Sequence, residues 1–488
     1  MKSLLITNRF WEIIIPIITW LIITFPIWLS PFHPAVASYL IFIYLLYFFY
    51  KTVKMTYFLL ISHRLMEKSA KINWFKRLLR LKKWTQIQHL VVIVNYRETT
   101  QKVDLTLSNL KNQNYDIKKL SVLLAMEDRD DTAIDRSRTL TDKYRQFFGD
   151  FDTCYHPVTA REIIGKASNE SYAVKYAAEK FSRQQKDFKK IIVTVCDADS
   201  LLPENYFANL TLNFLTIKNA IYKFYWAPVL LYTNFWKLIL PIRVQSILSS
   251  IMRLSILSWK DDLMPISTYS VSLWMLDEVG YWDTDIIPED WHIWLQCFFV
   301  FGEKVSTIPI YLPITRDAVY ATSLVKTFKT RYEQERRWAW GVTDIAYAIP
   351  RLFSSSNIPL KLRLKRVIYM ADTHIFWPTS FFILTIASSI PPLVNPVFRR
   401  TALGFLLPKL SAFILTIASV FLVSIIYFDY KLRSRIKIKT QLRNLPLLFV
   451  QWYLLPIISF VFSSLPALDA HTKMLLGKKL TYKVTEKS

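Results

Sequence analysis

Glycine is nearly absent: 7 in 488 residues. That scarcity excludes glycine-rich phosphate cradles, and neither a P-loop nor a G-x-G-x-x-G fingerprint occurs. Cysteine is rarer still. Cys154, Cys196 and Cys297 lie far apart, so neither a metal-ligand spacing nor a disulfide framework follows, and a reducing cytosolic face fits. Acids are few against bases, 37 against 62, which leaves a net charge of +25. Nucleic-acid binding is one explanation of that excess. The densest Lys/Arg runs flank apolar segments, however, as cytoplasmic loops of membrane proteins do.

What the chain has in quantity is apolar surface. It is 52% hydrophobic with a mean hydropathy of +0.22, yet 20% of it is charged. Membrane segments joined to a soluble domain account for both numbers. Residues 10–30 are long enough to span a bilayer, and residues 35–50, extendable to Leu60, form a second candidate. No small-residue cleavage site comes after the first, so it is not read as a removable signal. Ten Lys and Arg between Lys51 and Lys83 oppose Glu67 alone. By the positive-inside rule, this stretch and the domain after it are cytosolic. Further spans are expected over 367–394 and 402–428. Another apolar stretch, 445–465, is broken by Pro456 and leads into a basic tail, for four to five spans in all.

Between these segments, 85–330 reads as soluble. The apolar runs His89–Asn95, Leu120–Ala125 and Ile191–Val195 alternate with helical patterns at 105–112, 132–148 and 168–182. That alternation predicts a doubly wound α/β domain with a mostly parallel sheet. The third run ends in Asp197-Ala198-Asp199. Alternate residues of an extended chain point the same way, so the two carboxylates can converge on a divalent cation that also carries substrate phosphates. A lone D-x-D is more often two solvated acids at a turn, so the reading depends on whether other motifs accompany it.

Several do. Gly165 to Asn169 (GKASN) precedes a helix, where Lys166 and a helix N-terminus can face a diphosphate. Glu289-Asp290 ends an aromatic turn and opens an aromatic helix. Adjacent acids there usually just complement the helix dipole. Gln334 to Trp338 (QERRW) lies in a basic, aromatic segment that on its own could be an interfacial helix. Trp226, Trp259, Trp274 and Trp282 are candidate sugar platforms, most of them expected to pack in the core. His156 and His292 lack metal-ligand spacing and are read as structural. Asp372 and His374 are the notable ionisable groups near the start of a span.

In the order VNYRE, MED, GKASN, DAD, PED, QERRW, with spans on both sides, the chain resembles the family 2 glycosyltransferases. The resemblance is to their membrane-embedded branch, which includes cellulose, chitin and hyaluronan synthases. It implies a GT-A-like fold inserted between transmembrane helices and a nucleotide-sugar donor, UDP- or GDP-type, bound on the cytosolic face. By the same resemblance Asn95, Tyr96, Glu98 and Glu127 lie near the nucleoside, and Lys166 and Asn169 line the donor site. Asp197 and Asp199 match the D-x-D that holds Mg²⁺ or Mn²⁺. Asp290, with Glu289 beside it, matches the general base on the acceptor hydroxyl. Gln334, Arg337 and Trp338 match the Q-x-x-R-W that closes over the diphosphate and the acceptor end. Three features depart from the family pattern: the acids Glu127 and Asp128 come one or two places late, Pro288 stands where Thr is usual, and Pro265–Ser272 has no glycine.

The expected activity is an inverting, metal-dependent transfer of a hexosyl or N-acetylhexosaminyl unit to a growing polysaccharide at the cell membrane. A single transfer to a polyprenyl-phosphate or other lipid-linked acceptor is the alternative, and a non-catalytic scaffold or transporter the second alternative. The expected organisation is 1–62 two spans, 63–84 basic linker, 85–330 catalytic domain, 331–366 interfacial helices, 367–470 two to three spans and 471–488 basic tail.

Overall fold

The computed structural model describes residues 2–436, 438 and 444–480; Lys437, Lys439 and the end of the basic tail, with Lys483 and Lys487, lie outside the described residues. A seven-stranded sheet forms the centre. Its strands are β1 (Gln88–Val94), β2 (Leu120–Glu127), β3 (Asp150–His156), β4 (Ile191–Asp197), β5 (Lys223–Trp226), β7 (Tyr269–Ser272) and β8 (Ser306–Pro309), in the order β3-β2-β1-β4-β7-β5-β8. A separate pair joins β6 (Val229–Leu230) to β9 (Ile314–Thr315).

β1 to β4 pair in parallel, and β7 alone runs against its neighbours. Every residue of β2 is buried. Strands of a parallel sheet are covered on both faces, which is why LSVLLA reads as one continuous apolar run. Each such Leu or Val contributes roughly 1.5–3 kcal/mol by leaving water.

Two strands carry no apolar run. β3 (DFDTCYH) is an edge strand with Phe151, Cys154 and His156 inward and acids outward. β7 (YSVS) is wholly buried although half of it is serine. Its hydroxyls are satisfied in place: Ser270 bonds Thr194 at 2.8 Å and Tyr206 at 2.9 Å. Buried polar groups paired in this way lose little, so a core strand need not be apolar.

Helices Arg9–Leu29, Pro34–Ala70 and Ala402–Arg435, and the broken run Pro446–Leu475, are long and apolar enough to cross a membrane. Leu360–Thr385 and Ala387–Val394 would together make a fifth span, bent by 46°. Pro391 and Pro392 come just after the break and remove backbone donors there. The second helix, at 37 residues, extends about 56 Å, well beyond a bilayer core. Its far end packs on the soluble domain through buried Met66 and a 2.6 Å contact between Ser62 and Ser258. The basic stretch expected to begin as a linker at 63 is therefore helical through Ala70. Asp372, near the start of the bent pair, is held by Lys51 at 2.9 Å and Tyr47 at 2.6 Å.

Candidate active site

The site lies in the crevice beyond the carboxyl ends of the paired parallel strands β1 and β4. Open α/β sheets bind ligands at such a crevice. β4 and β7 are antiparallel with Val195 opposite Tyr269. Two residues further on, that register sets Asp197 beside Ser267.

Ser267 is the centre of the arrangement. Its backbone nitrogen donates to Asp290 Oδ2 at 2.9 Å, its hydroxyl donates to Asp197 Oδ2 at 2.6 Å, and its carbonyl accepts from Lys166 Nζ at 2.7 Å. Its φ is +71°, a left-handed conformation that costs a non-glycine residue roughly 1–2 kcal/mol. The segment without glycine thus makes the turn anyway, held by these contacts.

Lys166 opens the helix Lys166–Arg183 and reaches three carboxylates: Glu289 at 2.9 Å, Asp197 at 3.1 Å and Glu170 at 3.2 Å. Burial works against its charge, but those acids override it and keep the ammonium protonated. Glu170 is fully buried, and burial raises its carboxyl well above the ordinary range. Arg316 closes the far side, paired with Asp197 and bonded to the Ser267 hydroxyl at 2.6 Å. It arrives there because Leu201 and Thr315 form a two-way backbone bridge, 2.8 and 3.1 Å, just after the D-x-D.

Asp290 begins the helix Asp290–Phe301. Burial, then the neighbouring Glu289, pushes its carboxyl up to about 7; the Ser267 N–H, Lys166 and the Trp291 N–H hold it from rising further. Behind it His292 bonds Asp344 at 2.7 Å and Asp283 at 2.9 Å. Burial opposes a charge on this ring, yet the two acids raise it to about 9. His292 is thus a buried cation that fixes the start of the helix, and His156 bonds Glu162 at 2.9 Å in the same structural manner.

The remaining residues form two further groups. At the ends of β1 and β2, Glu98 accepts from Asn95 at 3.0 Å and from the Tyr96 backbone at 2.7 Å. Glu127 pairs with Arg129, whose guanidinium lies 4.7 Å from the Tyr96 ring. Asn169 is fully buried, and its amide donates to the Ala125 carbonyl at 3.1 Å, which ties the Lys166 helix to β2. On the other side, helix Leu324–Ala339 carries Gln334, Arg337 and Trp338. Gln334 accepts from Arg331 at 2.6 Å, and the guanidiniums of Arg253 and Arg331 lie 5.3 and 5.1 Å from the Trp338 ring. Burial, then repulsion from Arg316 and Arg331, lowers Arg253 to about 9.

Trp226 and Trp282 are interior, their indole N–H groups donating to the Ile266 carbonyl and the Tyr269 hydroxyl, each at 2.8 Å. Trp274 packs on Tyr222 and Phe301, and Trp259 on Phe58 and Tyr369. These contacts are packing.

Of the residues named from motifs, Lys166, Asp197, Glu289 and Asp290 come together around Ser267. Ser267, Arg316, Glu170, Arg253 and Arg331 are additions. The i,i+4 spacings Lys166/Glu170 and Arg331/Glu335 are signals for two of them; Ser267, Arg316 and Arg253 have none along the chain. Among the described residues no three His, Cys, Asp or Glu side chains converge as a metal site. Asp197, the first acid of the D-x-D, is engaged by Lys166, Arg316 and the Ser267 hydroxyl.

Residues 192–461 match the family model described as glycosyl transferase family group 2. No curated protein matches the sequence. Among solved structures, the chain is similar to a mannosyltransferase from Pyrobaculum calidifontis in complex with GDP-Man and Mn²⁺, at 14% identity and a TM-score of 0.43 over 87% of this chain and 100% of that one. It is also similar to S. aureus TarS 1-349 in complex with UDP-GlcNAc, at 13% identity and a TM-score of 0.32 over 65% of this chain and 87% of that one. A third similar structure is GalNAc-T7 with UDP, GalNAc and Mn²⁺, at 10% identity and a TM-score of 0.35 over 59% of this chain and 58% of that one.

Proposed function

The chain belongs to glycosyl transferase family group 2, with a GT-A-like α/β domain flanked by helices able to span a membrane, and we propose that it moves a sugar from a nucleoside-diphosphate donor, with inversion, to an acceptor hydroxyl at the membrane face. The observation that carries this reading is Asp290. A buried carboxylate near neutrality, anchored to Ser267 and adjoining the D-x-D network, suits a general base.

In the reaction the acceptor hydroxyl gives its proton to Asp290 as its oxygen bonds to the anomeric carbon. The bond from that carbon to the diphosphate oxygen breaks, and the nucleoside diphosphate leaves with the electron pair. Lys166 and Arg316 are the cations next to Asp197 that would neutralise the leaving diphosphate. Asp199 with Asp197 would hold Mg²⁺ or Mn²⁺, which when bound supplies Lewis-acid stabilisation of the same charge. Glu98, Tyr96, Asn95 and Glu127 would face the nucleoside. Trp338 would exclude water from the electron-poor carbon.

Lys/Arg-rich stretches beside the spans support a cytosolic catalytic domain in the cell membrane. Spans on both sides of the domain support membership of the polysaccharide-synthase branch, with a growing polysaccharide as acceptor. A lipid-linked acceptor is the second reading. A cavity of about 470 Å³ beside the Trp338 helix favours it, since Phe328, Leu454 and Phe462 line that cavity.

The test is incorporation of label from a panel of UDP- and GDP-sugars by the purified full chain with Mn²⁺ or Mg²⁺, with products sized. A high-mass product supports the polymer reading and a small lipid-soluble one the second reading. No turnover with any donor would contradict both.

A further inference from the structure

Two turns in the chain repeat one another, and the transfer chemistry uses neither. Asp116-Ile117-Lys118-Lys119 leads into β2, and Asp187-Phe188-Lys189-Lys190 leads into β4. Each is a single 3₁₀ turn. In each the Asp carboxylate caps the backbone, accepting from the Lys118 nitrogen at 3.1 Å and the Lys189 nitrogen at 3.0 Å. The acid is spent on the turn, and the two lysines after it are fixed at the strand entrance. β1 lies between β2 and β4, and its own 3₁₀ turn, Lys82–Gln86, begins with a third pair, Lys82-Lys83. The register sets His89 beside both Leu120 and Ile192. Three lysine pairs therefore stand side by side across about 10 Å of sheet. β5 begins at Lys223, and Lys304 comes just before β8; both strands run in the direction of β4, so these two lysines join the same end of the sheet.

Little offsets this charge. Among the described residues one ion pair forms at the three turns, Lys190 with Asp187 at 3.9 Å. Lys82, Lys83, Lys118, Lys189 and Lys190 are exposed. Lys119 and Lys189 sit over the Trp84 and Trp274 rings, 6.0 and 5.5 Å from their centres, which limits their freedom.

Membrane topology does not account for the cluster. Positive-inside bias acts within about 15–20 residues of a span. Lys82-Lys83 meets that condition after Ala70; Lys118-Lys119 and Lys189-Lys190 do not. The cluster is also at the wrong end for lipid headgroups. It lies at the amino ends of the strands, and the seven residues of β4, about 20 Å, separate it from Asp197. The membrane helices approach the other end, where Trp291 beside Asp290 packs on Tyr369 and His374 of Leu360–Thr385. Nor is the cluster built for nucleic acid. Trp84 packs against Phe75 and Tyr115, and Trp274 against Tyr222 and Phe301, which leaves no face for a base. The three turns use lysine throughout, without the guanidinium fork that holds phosphate at two points.

We propose that this end of the sheet is a docking surface for an Asp- and Glu-rich segment of a partner protein on the catalytic-domain side of the membrane. The segment's carboxylates supply the charge that the lysine pairs lack, and the crevice at the far end stays open while it is bound. Nothing here depends on the transfer chemistry.

Fluorescence anisotropy of a fluorescein-labelled polyglutamate peptide, with the full chain in phosphatidylcholine nanodiscs at physiological ionic strength, tests this. An oligouridylate of equal charge is the comparison. The wild type is expected to bind the peptide, and more tightly than the oligouridylate. Lys83→Glu/Lys189→Glu/Lys190→Glu should weaken the peptide at least about tenfold. Arg138→Glu/Arg161→Glu/Lys175→Glu alters net charge equally at residues exposed elsewhere on the domain, and should leave the affinity within about twofold. No peptide binding by the wild type would overturn the proposal whether or not either variant folds. So would equal losses in the two variants, because the peptide would then read net charge alone. Tighter binding of the oligouridylate would overturn it in favour of a nucleic-acid site.

Discussion

The backbone nitrogen of Ser267 donates to Asp290 at 2.9 Å from a left-handed residue on the strand turn facing the D-x-D. One residue thereby fixes the distance between Asp290 and Asp197. Its hydroxyl is the only part of it that a substitution can remove without moving the backbone. Ser267→Ala should lower kcat/KM roughly 10- to 100-fold, the value of about 1.5–3 kcal/mol for a hydrogen bond to a charged group. Steady-state kinetics with a labelled donor checks it; an unchanged kcat/KM would show that Arg316 and Lys166 orient Asp197 without the hydroxyl.

Lys166 holds three carboxylates, one of them fully buried. Lys166→Met should destabilise the protein by about 3–5 kcal/mol, because three clustered carboxyl groups, Glu170 among them, lose the cation they share. Adding Glu170→Leu should restore most of the melting temperature and none of the turnover. Recovery of both would show that Lys166 is purely structural.

Asp199→Ala should abolish the dependence of donor binding on Mn²⁺. Titration of the donor nucleotide with and without chelator reads this directly. The wild type is expected to lose affinity in chelator, and the variant to bind equally weakly in both.

His292 is raised to about 9 by Asp344 and Asp283. A folded-state value above the unfolded one stabilises below pH 6.5, and that contribution is lost as pH rises through about 9. The melting temperature should therefore fall between pH 6.5 and 9, and His292→Gln should flatten that part of the profile. A wild-type profile already flat there would show that the ring is neutral.

How much of this could be read along the chain depends on what each residue relies on. The strands β1, β2 and β4 are legible because a strand covered on both faces must be apolar throughout. β3 and β7 are not: one is an edge strand with acids outward, and the other satisfies its serines inside the core. Asp197, Glu289, Asp290 and Lys166 stand at strand or helix ends with local motifs. Ser267 acts through backbone atoms and register, and Arg316 arrives through a bridge to Leu201 some hundred residues away in sequence. Arg253 is marked by burial without a carboxylate, a property of the packed structure alone. The single span expected over 367–394 bends by 46° between Thr385 and Ala387.

The most direct test of Asp290 as the base is the pH dependence of transfer from a labelled donor by the wild type and by Asp290→Asn. Its carboxyl, raised to about 7, must be ionised to accept the acceptor proton. The wild-type rate should fall below an apparent pKa near 7, and the variant should lose at least about 100-fold in kcat and keep its donor affinity. A variant that turns over at the wild-type rate, or a wild-type profile flat through neutrality, would contradict the assignment.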